Sequence, residues 1–100
     1  MLRIYEVILE ILRMLAPIIK VIELHDRDLA RQLKTASTSM ALNTKEGSGS
    51  RGGTRRQRYD TARGSAEESE GILDSALALQ YLESLDPVLL DKLDHVRATL

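Results

Sequence analysis

Arginines carry the strongest chemical signal in this chain. Arg51, Arg55, Arg56 and Arg58 fall within eight residues, with Arg63 just beyond, beside the glycine-rich run Gly47–Gly53 and at the start of a predicted helix. Cations at a helix start oppose the helix dipole, which favours negative charge at that end. An anionic partner reverses the penalty, because guanidinium forks and free backbone N–H groups both suit phosphate oxygens. Lys34 and Lys45 extend this surface if the second and third helices present it together. In the competing reading the same arginines pair with acids of a neighbouring helix or subunit. The balance of 14 Lys+Arg against 15 Asp+Glu, a net charge of −1, excludes a uniformly basic nucleic-acid binder, so any basic patch is local. Tyr59, between the arginines, either stacks a nucleobase or anchors its own helix turn.

Other chemistry finds less support. Glu67, Glu68 and Glu70 could serve acid–base or cation-binding roles. Glu67, however, lies four residues after Arg63, and Glu70 is on a different helix face from Glu68, which describes a solvated, salt-bridged surface. The two histidines, His25 and His95, do not follow a glutamate by three positions, so the Glu-x-x-His pairs of di-iron bundles are missing. No Ser–His–Asp arrangement can be inferred. The absence of cysteine excludes disulfides, thiolate ligands and a thiol nucleophile, and fits a reducing compartment. Gly47–Gly53 lacks the Gly-Lys-Ser/Thr that a phosphate-binding P-loop needs after a strand. The expectation is a non-enzymatic protein without metal or cofactor.

The elements that must position the arginines are helical. One hundred residues with 43% hydrophobic content describe a single domain, and 3% aromatic content means a core of aliphatic side chains. The spacing predicts helices over about 2–25, 28–46, 54–84 and 87–99 with a flexible loop at 47–53, an all-α antiparallel up-down-up-down bundle with a short last helix. In the first helix Arg3, Glu6, Glu10, Arg13, Pro17 and Lys20 form one narrow polar stripe, and nearly everything else is apolar. So wide a face is hard for one small chain to hide, so Ile4, Ile8, Ile11, Leu15, Ile18 and Ile22 are the expected oligomer interface. The stripe's charges oppose a membrane span, and no signal peptide is visible, which predicts a soluble cytoplasmic protein. Pro17 should kink the helix. Asp26 or Asp28 can cap the second helix. Its seam runs Leu29, Leu33, Ala36, Met40, Asn43 and Gly47 at alternating spacings of four and three. Asn43 there fixes register, bonds backbone near the loop, or binds a partner. Thr54 is the expected cap of the third helix. Asp86-Pro87 is a strong start for the fourth, with Leu85 and Leu90 able to staple across it.

Two blocks carry a resemblance. Leu33–Gly47, LKTASTSMALNTKEG, resembles the signature ending in N-x-x-E-G of a bacterial four-helix family first found encoded in intervening sequences of 23S ribosomal RNA genes. Tyr59–Glu70, YDTARGSAEESE, is similar to that family's aromatic-x-x-A-x-G-S-x-x-E-x-E segment. Asn43, Glu46, Gly47, Gly64, Ser65 and Glu68 fall on its typical positions. The resemblance implies a homopentameric ring and no known enzymatic activity. Distant relatives are accessory proteins beside reverse transcriptases in diversity-generating retroelements and bind nucleic acid through basic surfaces. The expected partners are therefore further copies of the chain, RNA or DNA, and a protein such as a reverse transcriptase. The chain departs from those relatives in its slightly acidic balance and glycine-rich loop. The ribosomal part of the family name reflects gene location.

Overall fold

A computed structural model describes residues 2–100 as four helices: α1 (Leu2–Glu23), α2 (Arg27–Ser48), α3 (Gly52–Ala78) and α4 (Pro87–Thr99). Among the described residues there is no strand. The helices pack as neighbours in the order α1, α2, α3, α4 and back to α1, with α2 against α3 the most extensive contact. Two starts follow the sequence reading. Asp26 caps α2 by accepting from the Leu29 N–H at 3.0 Å, and Asp86 caps α4 by accepting from the Val88 N–H at 2.9 Å, with Pro87 in its first turn.

Along α2 and α3 the contacts run in opposite senses: Ser39 meets Ser65, Asn43 meets Arg58, and Gly47 meets Tyr59. The seam residues Leu33, Ala36, Met40 and Gly47 are buried, and Leu29 and Asn43 are half-buried. The expected loop at 47–53 shrinks to the turn Gly49–Arg51. Gly47 and Ser48 complete α2, and Gly52 and Gly53 already belong to α3. Thr54 is consequently inside α3. Arg51 holds the N-cap position in an extended conformation and contributes no side-chain capping bond.

At its other end α3 stops at Ala78 instead of running to Ser84. Gln80 adopts a left-handed φ of 65°, the Tyr81 N–H reaches the Ala76 carbonyl at 2.9 Å, and the Gln80 N–H reaches Leu77 at 3.0 Å. This is a Schellman closure, which satisfies the last carbonyls at a position where glycine is the usual residue. Tyr81 then stacks on His25, just past the end of α1, with ring centroids 5.1 Å apart.

The stripe assigned to an oligomer interface is core. Ile4, Ile8, Ile11, Leu15 and Ile22 are buried within one copy of the chain, and Ile18 is half-buried against them. The reason lies in the packing order. Because α1 touches both α2 and α4, its wide apolar arc is divided between two neighbours, and Tyr5, Val7, Leu12, Met14 and Ile19 fill its shoulders. Each fully buried aliphatic side chain contributes about 1.5–3 kcal/mol relative to exposure. The polar stripe faces solvent, and α1 continues through Pro17 there. Ion pairs tie down the short last helix: Lys92 to Glu10 of α1 at 3.0 Å and Arg97 to Glu70 of α3 at 2.7 Å.

Candidate nucleic-acid interface

The arginines stand around the turn that joins α2 to α3. Gly47 sets how closely these helices meet. A Cβ there would lie 2.5 Å from Tyr59 Cε1 and 2.6 Å from Cδ1, so only glycine admits the ring. Tyr59 is half-buried at this contact and acts as the anchor of its turn. Arg55 reaches back across the turn, where its Nε donates to the carbonyl oxygens of Ser50 at 2.9 Å and Gly47 at 3.3 Å. A cation at the end of α2 completes carbonyls that lack helical partners and favours the negative end of that helix's dipole.

Arg58 also turns towards α2. Its Nη2 lies 3.6 Å from Glu46 Oε2, and Nη1 donates to Asn43 Oδ1 at 3.4 Å. The amide of Asn43 donates to the Ser39 carbonyl at 2.9 Å and to Ser39 Oγ at 3.1 Å, and Ser65 Oγ donates to Ser39 Oγ at 3.0 Å. Asn43 thus bonds the backbone of its own helix, one turn earlier, while it receives Arg58. Four of the six residues on family-typical positions, Asn43, Glu46, Gly47 and Ser65, converge on this junction. Gly64 and Glu68 do not join it. Both are exposed on α3, and nothing within the chain explains Gly64, whose Cβ position would be open.

Arg51 and Arg56 differ from these two. Both are exposed, and among the described residues neither makes an ion pair or a side-chain hydrogen bond. Arg51 is the N-cap residue and Arg56 lies in the second turn of a helix that has no acidic residue in its first turn and no side-chain cap. Lys34 and Lys45 do not extend the patch together. Lys34 lines a groove of about 460 Å³ with Thr38, Leu42, Asn43, Glu46 and Arg58, whereas Lys45 lies 5.2 Å above the Tyr5 ring, against α1. Leu42, 57% exposed, forms the apolar edge of the groove.

Two adjoining hollows open beside Tyr59, a feature that sequence spacing did not reveal because its walls come from three helices. One, about 340 Å³, is lined by Arg3, Ile4, Tyr59, His95, Thr99 and Leu100. The other, about 290 Å³, is lined by Gly52, Arg55, Arg56, Tyr59, Asp60 and Leu100. At the opposite end of α2, hydrogen bonds from Arg31 and Gln32 and the Arg31 charge hold the Asp28 carboxyl below its usual range. Among the described residues no three of His, Asp and Glu converge as metal ligands, and no helix is long and apolar enough to cross a membrane.

No curated protein and no solved structure matches the chain. The family model for the 23S rRNA-intervening sequence protein matches residues 2–100, which takes in all four helices and both motif blocks around the α2–α3 junction. The chain therefore belongs to the 23S rRNA-intervening sequence protein family.

Proposed function

We propose that this chain is a non-enzymatic, cytoplasmic accessory protein that contacts nucleic-acid phosphates through the start of α3. Arg51 and Arg56 are the principal contacts, and Arg55 and Arg58 hold the surface in shape while turning their remaining donors outward. One observation carries the reading: Arg51 and Arg56 stand without an acidic partner at an uncapped helix start. For the isolated chain that placement is unfavourable, and a phosphate removes the penalty. The four helices form an antiparallel up-down-up-down bundle that assembles into a homo-oligomeric ring, a pentamer by analogy with the family. A ring repeats the basic patch several times, so weak contacts add as avidity and a nearly neutral chain can hold a polyanion. A protein partner such as a reverse transcriptase fits the same role.

Fluorescence anisotropy with a mixed-sequence RNA at low salt tests this reading. Binding should weaken steeply with salt, and Arg51→Ala/Arg56→Ala should lower affinity about tenfold or more and reduce the salt slope by about 2. Absence of binding in dilute buffer, or a double variant that binds as the parent does, overturns it. The second reading, a scaffold in which arginines serve as structural ties, is favoured by the bonds of Arg55 to the end of α2 and of Arg58 to Glu46 and Asn43. It predicts that Arg55→Ala/Arg58→Ala loses stability or subunit association while nucleic acid is ignored.

A further inference from the structure

We infer that the paired hollows beside Tyr59 form a nucleotide subsite that takes one unpaired base of a single strand, a role that rests on the phosphate-contact reading above. The hollows adjoin, with Tyr59 and Leu100 in the lining of both. Their chemistry differs from one side to the other. Arg55 and Arg56 line the smaller hollow, and Asp60 is the acidic side chain in its lining. The larger hollow is mostly apolar, with Ile4, Leu100 and the Tyr59 ring, and its polar edge is supplied by Arg3, His95 and Thr99. A nucleotide has the same division: an anionic phosphate, and a flat base with an apolar face and a hydrogen-bonding edge. Sequence-tolerant single-strand binders combine a cationic track for the backbone with an aromatic ring for the base.

The geometry also separates a strand from a duplex. In a paired helix the base faces are stacked and covered, so only phosphates can be offered to Arg55 and Arg56, and the larger hollow stays unused. An unpaired nucleotide can fill both. Tyr59 is fixed by its contact with Gly47, so the ring is held in place before any ligand arrives. Arg55 is likewise held through its Nε, and among the described residues its terminal nitrogens make no hydrogen bond. Among the described residues Arg3 and Arg56 have no acidic partner to displace.

The test compares an oligouridylate of about twelve nucleotides with an RNA duplex of the same length, both labelled, against the full chain at one low salt concentration. The single strand should bind about tenfold tighter, the size of effect expected from one stacked base. His95→Ala and Arg3→Ala lie on the exposed edge of the larger hollow, and each should remove about threefold or more of the single-strand affinity while leaving duplex binding unchanged. Circular dichroism of each variant should match the parent. Tyr59→Leu should abolish the preference, but it also disturbs the Gly47 contact, so the two edge variants decide the matter. Equal affinity for strand and duplex, with both lost in Arg51→Ala/Arg56→Ala, overturns the subsite and leaves the phosphate interface standing. Failure of both probes to bind overturns the interface and the subsite with it. Free uridine monophosphate binding as tightly as the oligomer, followed by tyrosine fluorescence, also overturns the strand assignment and makes the ligand a mononucleotide.

Discussion

Residue by residue, the junction between α2 and α3 separates groups that build the surface from groups that can act on a partner. Gly47 is the clearest builder. Gly47→Ala gives about 1 kcal/mol of intrinsic helix propensity, but its methyl would sit 2.5 Å from a ring carbon of Tyr59 and 3.2 Å from Arg58 Cβ. Overpacking of this kind costs about 1–3 kcal/mol, so the expected net loss is about 0–2 kcal/mol in a denaturant titration. In the background of Tyr59→Ala the same substitution should become neutral or stabilising, because the clashing ring is gone; a double-mutant cycle reads the coupling. A cycle that shows no coupling means that the helices are spaced by something else. Residue types and spacing mark this place well and say little of the roles taken there. By spacing Gly47 is both the last residue of the α2 seam and the first of a glycine-rich loop, because glycine breaks helices as readily as it permits close approach, and only the position of Tyr59 distinguishes the two. Arg55 and Arg58 looked equivalent to Arg51 and Arg56 as charges on a line. Their difference depends on which of them can reach back to carbonyl and carboxylate oxygens on α2, a distance that linear spacing does not contain.

Elements were most legible where a local chemical rule sets their ends. Asp26 and Asp86 accept from free N–H groups at the starts of α2 and α4; the proline after Asp86 marks it from sequence, whereas Asp26 is one of two candidates with Asp28. The end of α3 escaped because its stop signal is a conformation carried by an unusual residue. Leu77, Leu79 and Leu82 continue a helical apolar pattern past Ala78, and no glycine or proline interrupts it. The chain nonetheless turns at Gln80, with φ at 65°. A side chain with a Cβ in the left-handed region carries a cost of about 1–2 kcal/mol that glycine avoids. Gln80→Gly should therefore stabilise the chain, offset in part by the greater freedom of glycine when unfolded, for a net gain of about 0.5–1 kcal/mol seen as a higher midpoint of thermal unfolding. A lower midpoint would mean that the Gln80 side chain contributes a contact worth more than the backbone strain. The same substitution leaves the start of α3, and hence the arginine patch, some 25 residues away in sequence, so nucleic-acid binding should be unchanged.

For the molecule as a whole, the deciding question is what α1 is for. A chain measuring 42 × 24 × 18 Å has little interior, yet it encloses the isoleucine stripe by setting α2 and α4 on either side of it. Of the apolar side chains left in solvent, Val21, Leu24 and Leu79 stand at the ends of α1 and α3, which the His25–Tyr81 stack brings together, while Leu42 and Val88 lie on α2 and α4. Within one copy five of the six stripe residues are already covered, and Ile18 is the half-buried one. Ile11→Ala separates the two roles of α1. Ile11 is fully buried in the shared core, so truncation should cost about 2–4 kcal/mol, a large part of the stability of a domain this size. The loss should appear as a lower unfolding midpoint with the subunit mass in light scattering unchanged below that midpoint. If the variant instead keeps its helical melting profile and falls to a lower mass at micromolar concentration, the stripe is an intersubunit surface after all, and α2 and α4 do not enclose it in solution. The outcome bears directly on nucleic-acid binding. Avidity requires several linked copies of the patch, whereas a solitary bundle would have only Arg51, Arg56 and a single pair of hollows to offer RNA.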